Sequence, residues 1–443
     1  MRPYPPLGLL YISAYLDKVG VEHQVFDSTF SSTIEQFKTI KSLKPKVLAV
    51  YVNLMTRKNV VALMRSIHED PDLDTQIILG GPETRYHIED FLDHGADVLV
   101  IGEGEKTAHA VISAILSDKD DLSQIAGIAF RKNEKTVLTK EREKIKDLDE
   151  ITFPARERID MKPYLSTWKD HHGGSSLSVS TMRGCPYTCK WCSRAVYGLS
   201  YRRMSPKRVV DELEYLNNKF GADRYWFVDD VFTVSHKWMT GFVDELEKRN
   251  VKIEYECITR ADRMNNEVIE LLRRSGCFRV WIGAESGSQR IIDKMDRRVK
   301  VEQVRDMIIA SKAKGLEAGT FIMLGYPGET QEDIEATIEH LKISDPDQFT
   351  ITLTYPIKGT ELWSETEDIQ TAPLAWSQSS DRDIELERSF STRFYDLALR
   401  RVVNEVNYNK LKNRNEHLTL NGLKLRMKFE MIKAAMLLES RMK

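Results

Sequence analysis

Along the first 105 residues, short apolar runs alternate with stretches whose apolar positions recur every three or four residues. Residues 21–27, 46–52, 76–79 and 97–101 read as strands, and 9–19, 56–70 and 86–94 as the helices between them. Apolar strands separated by helices of this length predict a parallel sheet covered on both faces. Several strands run out into polar or turn-forming residues: Asn53, Gly80-Gly81-Pro82 and Gly102-Glu103-Gly104-Glu105. Ligands of open α/β sheets bind beyond such carboxyl ends. The glycines there either admit a bulky group close to the backbone or make tight turns, and spacing alone favours neither.

A hairpin is predicted from 125–130 and 136–138 around Lys132-Asn133-Glu134, followed by a charged connecting segment over 140–150 and Pro154. A second series then begins near Ser176. Its strands are 176–180, 225–228, 252–257, 278–283, 319–324 and 349–354; its helices are 206–219, 237–248, 266–275, 301–314 and 331–342, with a short one at 289–294. Six strand–helix units are consistent with a partial (β/α)6 barrel. The tail changes character: 386–410 and 423–442 are charged and helical in pattern. The latter carries Leu423, Met427, Phe429, Met431, Ile432, Ala435 and Leu438. It reads as a cap on the barrel, or else as a partner-binding or membrane-skimming helix.

Composition narrows this picture. A chain of 443 residues is long for one core and suggests two or three domains. A formal net charge of -2 gives no global drive toward nucleic acid or anionic membrane. No apolar run approaches membrane-spanning length and no leader pattern opens the chain, so no transmembrane segment is expected. Five cysteines, three of them clustered, do not resemble a secreted disulfide framework, and a reducing cytoplasm is expected.

The clustered three, Cys185, Cys189 and Cys192, lie in Gly184-Cys-Pro-Tyr-Thr-Cys-Lys-Trp-Cys192, directly after the first predicted barrel strand. That puts them at the strand's carboxyl end, the usual catalytic face of β/α barrels. Three soft thiolates can hold three corners of an iron–sulfur cube and leave the fourth iron open. Zinc, which would ordinarily want a fourth protein ligand, and unligated thiols are the competing readings.

This loop resembles the cluster motif of radical S-adenosylmethionine (radical SAM) enzymes, and later segments match in the same order. They are Val228-Asp229-Asp230, Gly283-Ala-Glu285-Ser286-Gly287, the run from Gly319 to Thr330, and Tyr355-Pro356 with Gly359-Thr360. The matching set spans residues 176–362. The resemblance implies that the cysteines hold a [4Fe–4S] cluster and that Asp229 and Asp230 receive the ammonium of SAM. It also implies that Glu285 and Ser286 hydrogen-bond around a ribose or carboxylate. Arg260 would meet a carboxylate of SAM or substrate, or only pair with Asp262. The cluster, fed by a flavodoxin or ferredoxin, would cleave SAM to methionine and a 5'-deoxyadenosyl radical that abstracts hydrogen from a small-molecule substrate.

Upstream, Pro5-Pro6-Leu7-Gly8, Gly80-Gly81-Pro82 and Gly102-Glu103-Gly104-Glu105 resemble the cobalamin-binding domain found ahead of many radical SAM barrels. Cobalamin contacts are implied for Asn53, Thr56, Gly80, Gly81 and Glu103. The chain departs from that pattern in two ways. Only four residues precede Pro5, so the domain's first strand is expected to be absent or drastically shortened. No histidine precedes His23, so the DxHxxG loop that supplies a lower axial nitrogen is missing. A degenerate domain kept for its structural role is the competing reading.

The implied fold is α/β: a Rossmann-like cobalamin-binding domain at 1–140, a linker at 141–170, a radical SAM partial barrel at 171–365 and a helical region at 366–443. The implied activity is methyl transfer from cobalamin to an unactivated carbon. An oxidative cyclase or ring-rearranging enzyme on the same scaffold is the alternative, and a noncatalytic metalloprotein the reading from another class.

Overall fold

The computed structural model describes residues 3–119 and 121–440. Its N-terminal unit is an α/β sheet of order β1-β2-β3-β4-β5. β1 (Val47–Tyr51), β2 (Gln76–Gly80) and β3 (Val98–Val100) run parallel, while β4 (Ile128–Lys132) and β5 (Lys135–Leu138) add antiparallel. β2 and β3 are apolar nearly throughout because both their faces are buried, whereas β1, at the sheet's edge, is partly exposed. Ile77, Leu79 and Leu99 pack with α2 (Thr33–Leu43), α3 (Arg57–His68) and α4 (Ile88–Asp93). Ile78, Val98 and Val100 pack with α1 (Leu7–Lys18) and α5 (Gly104–Leu116).

Three expectations change here. Residues 21–27 form no strand. Their alternating pattern favours extended chain, but a strand needs a neighbour about 4.8 Å away. Instead, a cavity of about 660 Å³ opens between Phe26-Asp27 and the free edge of β1, lined also by the first turn of α1. The sheet, expected to be parallel, takes the predicted hairpin as antiparallel strands, because Val98 pairs with Phe130 and Val100 with Ile128. Helices α2 and α5 were not read from the pattern. Helix α2 buries only Ile40, and its one clear signal is the reciprocal capping of Ser32 and Glu35.

The second unit is a curled, partly closed parallel sheet of order β13-β12-β11-β10-β9-β6. Its strands are β6 (Ser176–Val179), β9 (Arg224–Phe227), β10 (Tyr255–Thr259), β11 (Cys277–Glu285), β12 (Glu317–Leu324) and β13 (Gln348–Leu353). A small ribbon, β7 (Met182–Arg183) with β8 (Arg202–Arg203), stands beyond β6. Leu177, Val179, Tyr225, Phe227, Val280 and Ile282 face the main core. Alternate positions face the other way, where the indole of Trp281 donates to Glu256 (2.8 Å) and stacks on Phe321. Gly319 makes room for that indole: a Cβ there would stand 2.4 Å from it.

Two C-terminal helices follow, α14 (Thr392–Asn413) and α15 (Leu420–Glu439); the last residues of the expected 423–442 helix lie outside the described residues. Among the described residues no helix is long and apolar enough to cross a membrane. Two buried ionic clusters tie distant parts of the chain together. Arg183 and Arg202, on the ribbon, meet Glu103 at 3.1 and 2.9 Å, and Arg183 also meets Glu105. Arg57 on α3 meets Glu83 (3.2 Å), His87 Nε2 (3.1 Å), Asp381 (3.0 Å) and the Ser379 carbonyl (3.0 Å). Glu83, His87 and Asp381 are close enough to hold a metal ion, but the guanidinium already supplies their cation.

Candidate active site

The three cysteines sit not directly after β6 but on the loop between the ribbon strands β7 and β8, and neighbours fix its turns. Gly184 reverses the chain at φ +86, where a Cβ would come within 2.2 Å of Ser200 Oγ. Further along, Thr188 donates to Asp296 (2.9 Å), Lys190 N to Met295 O (3.2 Å) and Leu362 N to Lys190 O (2.9 Å). Cys185 and Cys189 are buried and Cys192 half-buried. Burial raises the Cys185 thiol and pushes Cys192 up to about 12, with Asp230 and the neighbouring sulfurs adding to both. Sulfurs that feel one another's charge form one donor group, which metal ligation would hold as thiolates.

Two guanidinium groups face Cys189. Arg260, at the end of β10, lies 3.5 Å from Sγ, and Arg297, beyond the short helix α10 (Gln289–Lys294), lies 3.9 Å away. Arg260 also pairs with Asp262 (2.8 Å), covers the ring of Tyr187 at 3.9 Å and donates to Arg297 O (2.6 Å). Arg297 donates to Gly283 O (2.8 Å) and stands 3.4 Å from Glu285, while its buried Nε has no hydrogen-bond partner. Sequence reading missed Arg297; nothing in Asp296-Arg297-Arg298 separates it from its exposed neighbour Arg298.

The paired aspartates diverge. Asp229 is buried and accepts from Thr181 N (2.7 Å), Met182 N (3.2 Å) and the Thr181 hydroxyl, so it pins the root of the cysteine loop to β9. Asp230 makes no hydrogen bond or ion pair among the described residues, although its charge reaches Cys185 and Cys192. It opens onto the site by surface area yet is crowded by protein, and this desolvation, with Asp229 adding, raises its carboxyl. Glu285 holds φ +65 at the bulge where β11 slips against β12, a conformation costing a side-chain-bearing residue about 1 kcal/mol or more. Burial raises its carboxyl against the opposing pull of Arg297 and Arg260. Ser286 instead turns toward Thr337 (3.2 Å) and accepts from Ser288 N (3.1 Å).

Across the interface, Gly80, Gly81, Gly102 and Gly104 line a slot of about 280 Å³ between α1 and α5, with Tyr11, Ile12, Ala49 and Arg183. A Cβ on Gly81 would lie 2.2 Å from Val52 O, and one on Gly104 2.8 Å from Ile12. Glu103 borders the slot but is spent on Arg183, Arg202 and Ile145 N (2.8 Å). Asn53 accepts from Met55 N (2.9 Å) and Thr56 N (3.0 Å), and Thr56 Oγ1 accepts from Asn53 N (3.0 Å), a closed turn leading into α3 beside the larger cavity. The donor set fits the implied groups. Three coupled thiols suit a cluster, a partnerless carboxylate and a partnerless guanidinium nitrogen beside them suit an amino-acid ligand, and a glycine-lined slot suits a bulky cofactor. At the slot, buried Tyr11 Oη also lacks a partner among the described residues.

Two family models match: the radical SAM superfamily over residues 179–341 and the B12 binding domain over 2–112. An uncharacterized methyltransferase of Pyrococcus horikoshii is 31% identical over 375 residues, 81% of this chain and 78% of the relative. The anaerobic magnesium-protoporphyrin IX monomethyl ester cyclase of Synechocystis is 26% identical, over 84% of this chain and 75% of its own. Among solved structures, the cobalamin-dependent SAM radical enzyme OxsB aligns over 99% of this chain and 70% of its own, with TM-score 0.76 and 15% identity. TsrM of Kitasatospora setae aligns over 84% and 74%, with TM-score 0.68 and 18% identity. The chain belongs to the radical SAM superfamily, in the branch that carries a B12-binding domain. It is a cobalamin-dependent radical SAM enzyme whose cofactors are a [4Fe–4S] cluster, SAM and cobalamin.

Proposed function

We propose that this enzyme oxidises, cyclises or rearranges a small-molecule substrate by radical chemistry without net methyl transfer. Relatives named as magnesium-protoporphyrin ester cyclases, from three organisms, align over 84%, 82% and 82% of the chain. The observation that carries the radical step is the partnerless Asp230 carboxylate beside the three thiols, with Arg260 and Arg297 facing Cys189. Bound there, the cluster and SAM supply a radical able to take hydrogen from an unactivated carbon. In this reading Asp230 holds the SAM ammonium, and Arg297 with Arg260 holds its carboxylate. Glu285 orients Arg297, while Asp229 positions the loop and touches no ligand. Gly80, Gly81 and the unpartnered Tyr11 hydroxyl in the same slot receive cobalamin. Glu103, Asn53 and Thr56 shape the walls. The unit to about residue 140 serves cobalamin, the barrel at 171–365 serves SAM, and 141–170 joins them. The electron comes from a flavodoxin or ferredoxin in a reducing cytoplasm.

Methyl transfer is the second reading, supported by the relative from Pyrococcus horikoshii named a methyltransferase. Turnover with SAM deuterated at its methyl group separates the two. The proposal expects deoxyadenosine together with an unlabelled, oxidised or cyclised product; deuterium in the product would overturn it in favour of methyl transfer.

A further inference from the structure

Helix α15 is apolar on two faces. One face is spent: Gly422, Phe429 and Met436 are buried, Phe429 packs at a tilt against Tyr408 of α14, and Ser391 donates to Glu439 at 2.7 Å. The opposite face is open. At about 3.6 residues per turn, Leu420, Met427, Met431 and Leu438 fall on one line, with Leu423 and Ala434 beside it. Those four are 79%, 65%, 69% and 65% exposed, and Leu418 just ahead of the helix is 74% exposed. A stripe this long differs from scattered surface leucines, because contiguous apolar surface marks an interaction site.

The charges say what covers it. Exposed cations outnumber exposed acids on this helix four to one: Lys424 and Lys428 border the stripe on one side, while Arg426 and Lys433 lie further round on the other, beyond Glu430. A second copy laid face to face would bring together two helices that each carry three more exposed cations than acids, with one exposed acid on each to pair them. Long basic side chains beside and above an apolar line, in excess of acids, instead suit a plane that is apolar below and anionic at the surface, with their charged ends reaching up to the headgroups. We propose that α15 docks this enzyme onto anionic lipid bilayers, lying in the membrane surface without crossing it. The protein's overall charge of -2 leaves this patch a local feature. The inference is independent of which reaction the barrel performs.

The test is co-sedimentation of the full-length protein with phosphatidylglycerol–phosphatidylcholine vesicles and with phosphatidylcholine alone. Wild type should bind the anionic vesicles, bind neutral ones far more weakly and release as salt rises. Met427→Glu with Met431→Glu should abolish binding while leaving the far-UV circular dichroism spectrum intact, since both side chains face solvent. Lys424→Glu with Lys428→Glu should weaken it by at least about fivefold for each cation removed. Absence of binding to anionic vesicles at low salt, or binding indifferent to the Met427/Met431 pair, would overturn the proposal. So would wild-type self-association, in sedimentation equilibrium, that the same pair abolishes.

Discussion

Two adjacent carboxylates, Asp229 and Asp230, have different work because their surroundings differ. Asp229 is satisfied by Thr181 and Met182, 48 and 47 positions away, and Asp230 by no hydrogen bond among the described residues. Asp230→Asn should therefore weaken SAM binding by about tenfold or more while the cluster absorbance stays unchanged. Asp229→Ala leaves buried donors unpaired and should cost about 1–3 kcal/mol in urea unfolding, with poorer cluster loading. Glu329 gives a pH test. It is buried beside Arg388 and Tyr395, accepts from Gly325 N (2.6 Å) and leaves Oε1 unpaired; burial pushes its carboxyl up to about 8. The folded state then keeps a proton that the unfolded chain releases near 4.5, so stability falls as pH rises from 4.5 and this contribution is lost above 8. Wild type should lose up to about 1.4 kcal/mol per pH unit more than Glu329→Gln between pH 5 and 8, read by urea denaturation at each pH. The cysteine motif was legible because its spacing is local. The split between Asp229 and Asp230, and the whole role of Arg297, arise from contacts the local pattern does not carry.

At the scale of elements, a loop or cluster holds only if its turn and its counter-charges are all present. Gly184→Ala puts a Cβ 2.2 Å from Ser200 Oγ and 2.6 Å from its carbonyl, at φ +86, in the turn that aims Cys185. This variant should lose about 2 kcal/mol or more and load less iron, measured by iron content after anaerobic reconstitution. Arg57→Met strands Glu83 and Asp381 without their cation, which should cost about 3–5 kcal/mol in the same unfolding assay. The strand–helix order of the barrel was legible element by element, since each strand has one face on the core. Residues 21–27 show the limit: alternation specifies an extended chain, but only a neighbour in space makes it a strand.

For the molecule as a whole, the two sheets border one cavity, lined by Tyr51 and Asn53 from the first and by Ser178, Trp226 and Val228 from the second. Arg183 and Arg202, on either side of the cysteine loop, anchor on Glu103 and Glu105 at the first turn of α5, so the glycine-lined slot and the cysteine loop share one ionic hinge. Family membership and the domain order were legible from ordered motifs, whereas this hinge joins residues about 80 positions apart. The central claim is that Cys185, Cys189 and Cys192 carry a cluster that cleaves SAM. The most direct measurement is 5'-deoxyadenosine formed by the anaerobically reconstituted protein with SAM and dithionite. The account predicts a [4Fe–4S] spectrum and deoxyadenosine in wild type and no deoxyadenosine from Cys185→Ala. Deoxyadenosine production unchanged in Cys185→Ala, or a fully loaded wild type that leaves SAM intact, would contradict it.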